Sequence, residues 1–250
     1  MLSRFCNLLY GIYAVTIFIA VAVPVCLLVI VAPGLGLRRS IGRAGMRLAL
    51  LCMGVPLRVR GLEHLPAGPC IAIANHASYL DGLILTAALP SRFTFVVQDG
   101  AASWPLIGPT IRRMGAVFVN RSAAREGARQ TRTLIREVQN GTSLAIFAEG
   151  TFKAEPGLLP FKNGAFMMAV RAGVPCVPVG ILGTRILWGG HNRLPQWNPV
   201  CVQVLPAIAP AGTHKEAETK LRDSVRAQVL ELCGEPDRAR DRSDAATPSI

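Results

Sequence analysis

Acidic and aromatic residues are scarce in this chain of 250 residues. Asp and Glu number 15 against 27 Lys and Arg, which gives a formal net charge of +12, and Phe, Trp and Tyr make up 6% of the sequence. The basic excess indicates an anionic partner, such as nucleic acid, an anionic membrane surface or a phosphorylated substrate. Nucleic acid suits the chain least, because the sequence has no aromatic-studded sheet motif and no zinc or helix-turn-helix signature.

None of the seven cysteines has the spacing of a metal-ligand pair. They stand at positions 6, 26, 52, 70, 176, 201 and 233, and their odd number does not suit a disulfide framework. We therefore expect reduced thiols in a protein that faces the cytosol, and no bound metal. The sequence also has no internal repeat and no linker between two comparable domains.

The longest stretch without a charged residue covers residues 5–32. As a helix it would be about 42 Å long, whereas the hydrocarbon core of a bilayer is roughly 30 Å thick, so the segment can cross with tilt or with a kink at Pro24. A cleaved signal peptide is the weaker alternative, because its apolar region is normally about 7–15 residues long. Only Arg4 precedes the segment and several arginines follow it, which places the rest of the chain on the cytoplasmic face of the inner membrane.

A second apolar stretch, residues 38–55, carries spaced arginines. It predicts either an interfacial helix that forms a hairpin with the first segment or an ordinary core helix. We therefore expect residues 1–55 to anchor a globular domain of residues 56–233. Residues 234–250 have almost no large apolar side chain and predict a disordered tail.

The central part of the chain alternates short strands with helices. The predicted strands are rich in Val and Ile and bounded by Gly or Pro, and they cover 57–60, 70–74, 93–97, 116–119, 143–148, 176–181 and 200–204. The predicted helices cover 79–89, about 105–114, 122–139, 164–172 and 216–233. This alternation predicts an α/β fold with a mostly parallel central sheet flanked by helices.

Polar clusters closely follow three of these strands: Asn75 and His76 follow strand 70–74, Arg121 follows strand 116–119, and the segment Glu149-Gly150-Thr151 follows strand 143–148. In an open α/β sheet, ligands bind outside the carboxyl ends of the strands. We therefore expect the three clusters to line one cleft.

The stretch "NHASYLD" (75–81) has the spacing of a base and the acid that orients it. Ser78 is a good N-cap for the helix predicted from residue 79, and Asp81 then has the position that reaches back in a capping box. From there its carboxylate can contact His76, fix the imidazole tautomer and leave the other ring nitrogen as a base. The alternative interpretation is that Asp81 only caps the helix and His76 is an ordinary loop histidine.

Four segments together resemble the glycerolipid acyltransferase family, which includes 1-acylglycerol-3-phosphate acyltransferases. "NHASYLD" is similar to the first family motif, "GAVFVNR" (115–121) to the second, "FAEGT" (147–151) to the third and "VPCVPV" (174–179) to the fourth. All four occur in the order of the family, over roughly residues 60–205.

The resemblance implies a membrane-bound O-acyltransferase without a metal or redox cofactor. His76 would be the general base that deprotonates a lysolipid hydroxyl, most simply that of 1-acyl-sn-glycerol-3-phosphate, as it attacks acyl-CoA or acyl-ACP (acyl carrier protein), and Asp81 would orient the imidazole. Arg121 would hold the acceptor phosphate. The full set of implied substrate-binding residues is Asn75, Arg121, Glu149, Gly150, Thr151 and Lys162. Glu149 in particular would bind the glycerol or brace an arginine.

The third motif departs from the family pattern at Phe152, where the family usually has an arginine that binds phosphate. Lys162 is our first choice for a substitute cation, ahead of Lys153 and Arg171. The departure leaves open a different acceptor, such as a lyso-ornithine lipid. A non-catalytic lipid-binding membrane protein is the alternative from another functional class. The arginines at 125, 129, 132 and 136 predict a solvated cationic helix face, with contact to anionic headgroups as the second interpretation.

Overall fold

The computed structural model describes residues 2–119, 124–190 and 192–239, and it contains every predicted strand to within one residue at each end. The strands are β1 (Leu57–Arg60), β2 (Ile71–Ala74), β3 (Phe93–Gln98), β4 (Val117–Val119), β5 (Ser143–Phe147), β6 (Cys176–Leu182) and β7 (Val200–Val204). They form one sheet in the order β1-β7-β6-β2-β5-β3-β4.

The sheet is mostly parallel, as the sequence predicts. Strands β2 to β6 run in one direction, whereas β7 is antiparallel to β6 and β1 is parallel to β7. Strands β2 and β5 are neighbours at the centre of the sheet, so their carboxyl ends lie side by side. Every residue of β2 is buried, as is usual for a parallel strand that is covered on both faces.

The helices cover both faces of the sheet. They are α1 (Leu2–Val31), α2 (Leu35–Cys52), α3 (Asp81–Ala88), α4 (Ile107–Arg113), α5 (Ala124–Gln139), α6 (Gly164–Ala172), α7 (Thr184–Trp188) and α8 (Lys215–Cys233). Successive residues of β2 point to opposite faces: Ala72 and Ala74 pack with α2 and α3, while Ile71 and Ile73 pack with α5, α6 and α8. Helix α7 is absent from the predicted set.

Helix α1 lies alongside the domain as one arm of a hairpin with α2. Among the described residues, only the segment Arg4–Val31 is long and apolar enough to cross a membrane, and an 18-residue stretch of it has a mean hydropathy of 3.0. Near its start the Tyr10 hydroxyl donates to the carbonyl of Met53 at 3.2 Å, and near its end the carbonyl of Ile30 accepts from Arg113 Nε at 2.9 Å. Since both ends contact the rest of the chain, α1 does not project away from it. The structure therefore has the helical hairpin of α1 and α2, and α2 also contributes Met46 and Leu50 to the core, as expected of a core helix.

The arginines of α2 attach this hairpin to the domain. Arg43 Nε and Arg47 Nε donate to the carbonyl of Ala87 at 3.3 and 2.8 Å, and Arg39 Nε donates to the carbonyl of Met114 at 2.9 Å. Carbonyls in the last turn of a helix such as α3 have no partner within the helix, so arginine is a suitable cap for them. Helix α2 therefore buries one face, while its other face exposes large apolar side chains, namely those of Leu37, Leu48 and Leu51.

The chain continues to contact the domain beyond α8. The Glu235 carboxylate accepts from the backbone N–H of Gly157 at 2.6 Å and pairs with Arg185 Nε at 2.6 Å. Asp237 pairs with Arg226 at 2.6 Å. The domain thus extends past Cys233, after which the sequence predicted a disordered tail to begin, because acidic side chains can anchor a segment that lacks large apolar ones. Residues 240–250 lie outside the described residues.

Candidate active site

His76 and Asp81 meet at the carboxyl end of β2. The distance from His76 Nδ1 to Asp81 Oδ2 is 2.9 Å. Because a carboxylate only accepts hydrogen bonds, the proton of a neutral imidazole lies on Nδ1 and the lone pair on Nε2. The His76 side chain is 20% exposed, whereas that of Asp81 is completely buried. The pair therefore has the geometry of a base and the acid that orients it.

Asp81 is itself fixed by the turn that precedes α3. Its Oδ2 atom also accepts from the backbone N–H groups of Ala77 at 2.6 Å and Ser78 at 2.7 Å. The reach of the carboxylate back from the helix start agrees with the capping pattern, but α3 begins at Asp81 rather than at residue 79. The Ser78 hydroxyl makes the contact predicted for an N-cap, since it accepts from the N–H of Leu80 at 3.1 Å, and it also donates to the carbonyl of Trp188.

Aromatic rings hold the imidazole from two sides. The Phe147 ring stacks on that of His76, with centroids 4.2 Å apart and an interplanar angle of 16°. The Phe152 ring contacts His76 at 4.7 Å, and Tyr79 contacts Phe152 at 4.7 Å. The sequence indicates Phe152 only as a departure from the family motif, which usually has an arginine at this position. The structure shows instead that it covers the imidazole.

Glu149 lies at the end of β5 and binds the backbone. Its Oε1 accepts from the N–H of His76 at 2.6 Å and its Oε2 from the N–H of Leu159 at 2.8 Å. Burial raises the pKa of the Glu149 carboxyl from its ordinary value of 4.5 to about 8; the two N–H groups oppose the rise and the carboxylates of Asp81 and Glu235 add to it. Both oxygens are thus occupied within the domain. Glu149 therefore positions the strand end that carries His76. It is buried, which leaves no open space for a glycerol, and it contacts no arginine among the described residues, which do not include Arg121.

Asn75 also serves the backbone. Its Nδ2 donates to the carbonyl of Ile181 at 2.9 Å, and its Oδ1 accepts from the N–H of Ile181 at 2.7 Å. The side chain is buried and continues the pairing of β2 with β6 beyond the last ladder residue, Ala74. The predicted role in substrate binding does not fit a buried side chain whose amide both donates to and accepts from the backbone of Ile181.

Of the remaining predicted substrate-binding residues, three lie in or near the turn that follows β5. Gly150 is buried in the turn after β5 with a φ of 82°, a conformation that favours glycine, and Thr151 is exposed beside it. The Lys162 side chain is exposed, and its backbone N–H donates to the carbonyl of Ala148 at 2.8 Å, which places it near the end of β5. Arg121 lies outside the described residues.

Two of the candidate substitute cations also have clear positions. Arg171 is in the last turn of α6, about 10 Å along the helix from Gly164. This is the end of α6 away from β5, so Arg171 does not reach the pair of His76 and Asp81, which we call the dyad. Lys153 directly follows Phe152, and its carbonyl accepts from Arg185 Nη1 at 2.9 Å. The exposed side chains of Arg129, Arg132 and Arg136 agree with a solvated face on α5.

An apolar cavity of about 320 Å³ lies next to the dyad, between α1, α2, α3 and the β3–α4 region. Tyr79 and Gly82, which flank Asp81 in the sequence, line the part nearest the dyad. The rest of the wall is mainly apolar side chains from the surrounding elements, including Val21, Val25, Val29, Met46, Phe95 and Met114. The described residues contain no group of three His, Cys, Asp or Glu side chains that could hold a metal ion.

Comparison with known proteins gives a consistent match over this region. A family model described as acyltransferase matches residues 56–182. The chain is 36% identical over 128 residues to the 1-acyl-sn-glycerol-3-phosphate acyltransferase BAT2, chloroplastic, of Brassica napus, covering 50% of this chain and 37% of that protein. It is 30% identical over 192 residues to the 1-acyl-sn-glycerol-3-phosphate acyltransferase of Saccharomyces cerevisiae, covering 74% of this chain and 62% of that protein. The matches thus span from about a third to under two-thirds of these relatives.

The fold as a whole is that of a solved structure. The crystal structure of the 1-acyl-sn-glycerophosphate acyltransferase PlsC from Thermotoga maritima superposes with a TM-score of 0.74 at 22% sequence identity. The superposition covers 99% of both chains, so it includes the N-terminal hairpin as well as the sheet.

Proposed function

Since the chain belongs to the acyltransferase family, we propose that it transfers a fatty acyl group from an acyl thioester to the free hydroxyl of a lysolipid. The proposed acceptor is 1-acyl-sn-glycerol-3-phosphate, the compound in the names of the relatives, and the product is then phosphatidate. The observation that carries the proposal is the 2.9 Å contact of His76 Nδ1 with the buried Asp81 carboxylate, beside a cavity with apolar walls.

The proposed reaction uses His76 to move one proton. Nε2 takes the proton of the acceptor hydroxyl while that oxygen forms a bond to the thioester carbonyl carbon. The carbon–sulfur bond then breaks, and the thiolate that leaves takes the proton from the imidazolium. Asp81 keeps Nδ1 protonated and stabilises the positive ring. General base catalysis of this kind typically raises the rate by about 10²–10⁴-fold.

The apolar cavity supports a fatty acyl substrate. It begins at Tyr79 and Gly82, near the imidazole, and continues between α1 and α2, so a chain bound there would have its carboxyl end at His76. Each methylene buried in such a cavity contributes about 0.8 kcal/mol. We assign the cavity to the acyl chain of the donor.

The hairpin of α1 and α2 supports a membrane location, which we propose to be the cytoplasmic leaflet of the inner membrane. Large apolar side chains are exposed along α1 from Phe5 to Val31 and on α2 at Leu48 and Leu51. Because α1 contacts the domain at both ends, we propose that the hairpin dips into one leaflet and does not cross the bilayer. The net charge of +12 would add attraction to anionic lipid.

One observation favours a second acceptor. Phe152 has the sequence position at which the family motif usually has a phosphate-binding arginine, and its ring contacts His76 but cannot pair with phosphate. An acceptor with a different headgroup, such as a lyso-ornithine lipid, is therefore the alternative for the same chemistry.

A panel of lysolipids tests these assignments. Purified protein is offered lysophosphatidate, lyso-ornithine lipid and other lysolipids with labelled palmitoyl-CoA or palmitoyl-ACP, and the product is identified by its mass. We expect one acceptor to dominate, and the H76A variant to lose turnover but keep its association with vesicles. Absence of turnover with every pair would refute the acyltransferase assignment and favour a lipid-binding protein that keeps the fold.

A further inference from the structure

A second cavity, of about 640 Å³, shares no lining residue with the apolar one. It is lined by the ends of β6 and β7, by the edge strand β1 and by residues that follow α8. Ala77, which directly follows His76, also lines it. The proposed reaction with its apolar acyl cavity leaves this space without a role.

The charge of this second cavity is positive. Arg58 and Arg60 of β1 and Arg185 of α7 line it together with Glu235. Glu235 is already paired with Arg185 at 2.6 Å, so these two charges offset each other. Within the described ranges, neither Arg58 nor Arg60 forms an ion pair, and both are exposed. Two guanidinium groups thus remain for an anionic ligand, and their donor geometry suits phosphate.

A buried hydroxyl in the wall points to a bound polar group. The Thr184 residue is 1% exposed, and its Oγ1 has no hydrogen-bond partner among the described residues. An unpaired buried hydroxyl is unfavourable for folding, and a ligand oxygen in the cavity would satisfy it. This observation is independent of the two arginines.

The sheet register gives the distance between Arg58 and the dyad. Arg58 pairs with Cys201 and Cys201 with Leu182, while Ala74 pairs with Val179, so Arg58 stands level with Ala77. Three strand spacings separate β1 from β2, which amounts to about 14 Å. A ligand that reacts at His76 and carries phosphate at Arg58 must therefore have a long connecting arm.

We propose that this second cavity binds the nucleotide end of an acyl-coenzyme A donor, an inference that rests on the proposed acyltransferase function. The pantetheine arm would run from the thioester at His76 towards Arg58. The diphosphate and the 3′-phosphate would contact Arg58 and Arg60, and a phosphate or ribose oxygen would accept from Thr184.

Apolar side chains at the rim favour a nucleotide over a simple phosphate. Leu182 and Ile186 line the cavity and are 48% and 53% exposed. They offer a surface on which an adenine ring can pack, whereas a lipid headgroup of similar charge carries no such ring.

Kinetics with two donors test this assignment. The full chain is purified in a neutral detergent, and KM is measured for palmitoyl-CoA and for S-palmitoyl-pantetheine, which has the same thioester but no phosphate. In the R58Q/R60Q variant we expect KM for palmitoyl-CoA to rise by about tenfold or more, with kcat and the values for palmitoyl-pantetheine unchanged. The matched control R132Q/R136Q removes two exposed arginines of α5 and should alter neither.

Two further measurements do not depend on turnover. Free coenzyme A, titrated by calorimetry, should bind the wild type and bind the R58Q/R60Q variant about tenfold more weakly. The T184V variant should weaken this binding and at the same time raise the Tm, because it removes an unpaired buried hydroxyl.

Three results would overturn the assignment: an unchanged KM and Kd in R58Q/R60Q, an equal rise of KM for both donors, or turnover of palmitoyl-ACP without turnover of palmitoyl-CoA. The last result would leave the proposed acyltransferase function intact. Conversely, tight binding of coenzyme A that depends on Arg58 and Arg60, without transfer to any acceptor, would refute the function and support the site.

Discussion

The length of acyl chain that the apolar cavity accepts can be altered at one glycine. Gly42 of α2 lines the cavity, and a Cβ atom there would lie 2.8 Å from Met114 Cε and 3.9 Å from Thr86 Cγ2. Thr86 is five residues beyond Asp81 on α3, or about 7 Å along the helix. A leucine at position 42 would therefore fill the part of the cavity beside Thr86, and it would push the flexible Met114 side chain into the same space.

The expected penalty follows from the carbon atoms displaced. A leucine side chain has four carbons and takes the place of about four methylenes of the substrate, each worth about 0.8 kcal/mol, so a long chain loses about 3 kcal/mol of binding. That loss corresponds to about a hundredfold lower kcat/KM. We expect the G42L variant to lose this factor with palmitoyl-CoA and a smaller one with octanoyl-CoA, because the shorter chain has fewer methylenes at and beyond the blocked region.

Gly36 provides a matched control on the same helix. It is exposed, does not line the cavity, and a Cβ atom there meets no heavy atom within 4 Å. The G36L variant therefore adds the same side chain and gains the same helix propensity, and it should treat both donors as the wild type does. If G42L discriminates between palmitoyl-CoA and octanoyl-CoA no more than G36L does, the cavity is not the acyl-chain site.

Three further substitutions probe the dyad and its supports. D81N should lower kcat by about 10³-fold with little change in Tm, because the amide oxygen can keep the three hydrogen bonds of Oδ2 but no longer carries the negative charge that stabilises the imidazolium. Glu149 keeps its proton in the folded state up to about pH 8, whereas the unfolded carboxyl loses it near its ordinary value. Unfolding then releases a proton between these values, so wild-type stability should fall as the pH rises, by up to about 4 kcal/mol from pH 5 to 8, and thermal denaturation of E149Q should show a flatter pH profile. N75A should lower the free energy of unfolding by about 3 kcal/mol through the unpaired backbone groups of Ile181, with KM for the acceptor unchanged.

Each of these expectations has a result that contradicts it. A D81N enzyme with wild-type kcat would show that His76 needs no orienting acid. Equal pH profiles for the wild type and E149Q would mean that another group dominates the titration. A raised acceptor KM in N75A without loss of stability would restore Asn75 as a substrate ligand.

The sequence predicts the strands and the dyad because both depend on local patterns. Short Val- and Ile-rich runs between Gly or Pro identify β2, β5 and β6 to within one residue. The His76–Asp81 contact spans only five residues, and the turn that leads into α3 brings the two groups together. Both the strand positions and this contact depend on residues that are close together in the sequence, so local patterns are sufficient to predict them.

The roles of Asn75 and Glu149 could not be predicted in the same way. Asn75 binds Ile181, which is 106 residues away, and Glu149 binds the N–H of His76, 73 residues away. These contacts exist because β2 lies between β6 and β5, and strand order is set by the packing of the whole domain. The family resemblance implies that both residues bind substrate, whereas in the structure each of them contacts the backbone at the end of a neighbouring strand.

The close packing of α1 has a practical consequence for protein production. Val25 lies so near Gly45 of α2 that a Cβ at that glycine would be 2.4 Å from it, and Val21, Val25 and Val29 form one wall of the apolar cavity. Deleting α1 to obtain a soluble catalytic fragment would therefore open the apolar cavity to solvent and expose the face of α2 that packs against α1. The truncated protein would then lose activity and stability even in an assay that needs no membrane anchor. The intact polypeptide in detergent is therefore the material to purify.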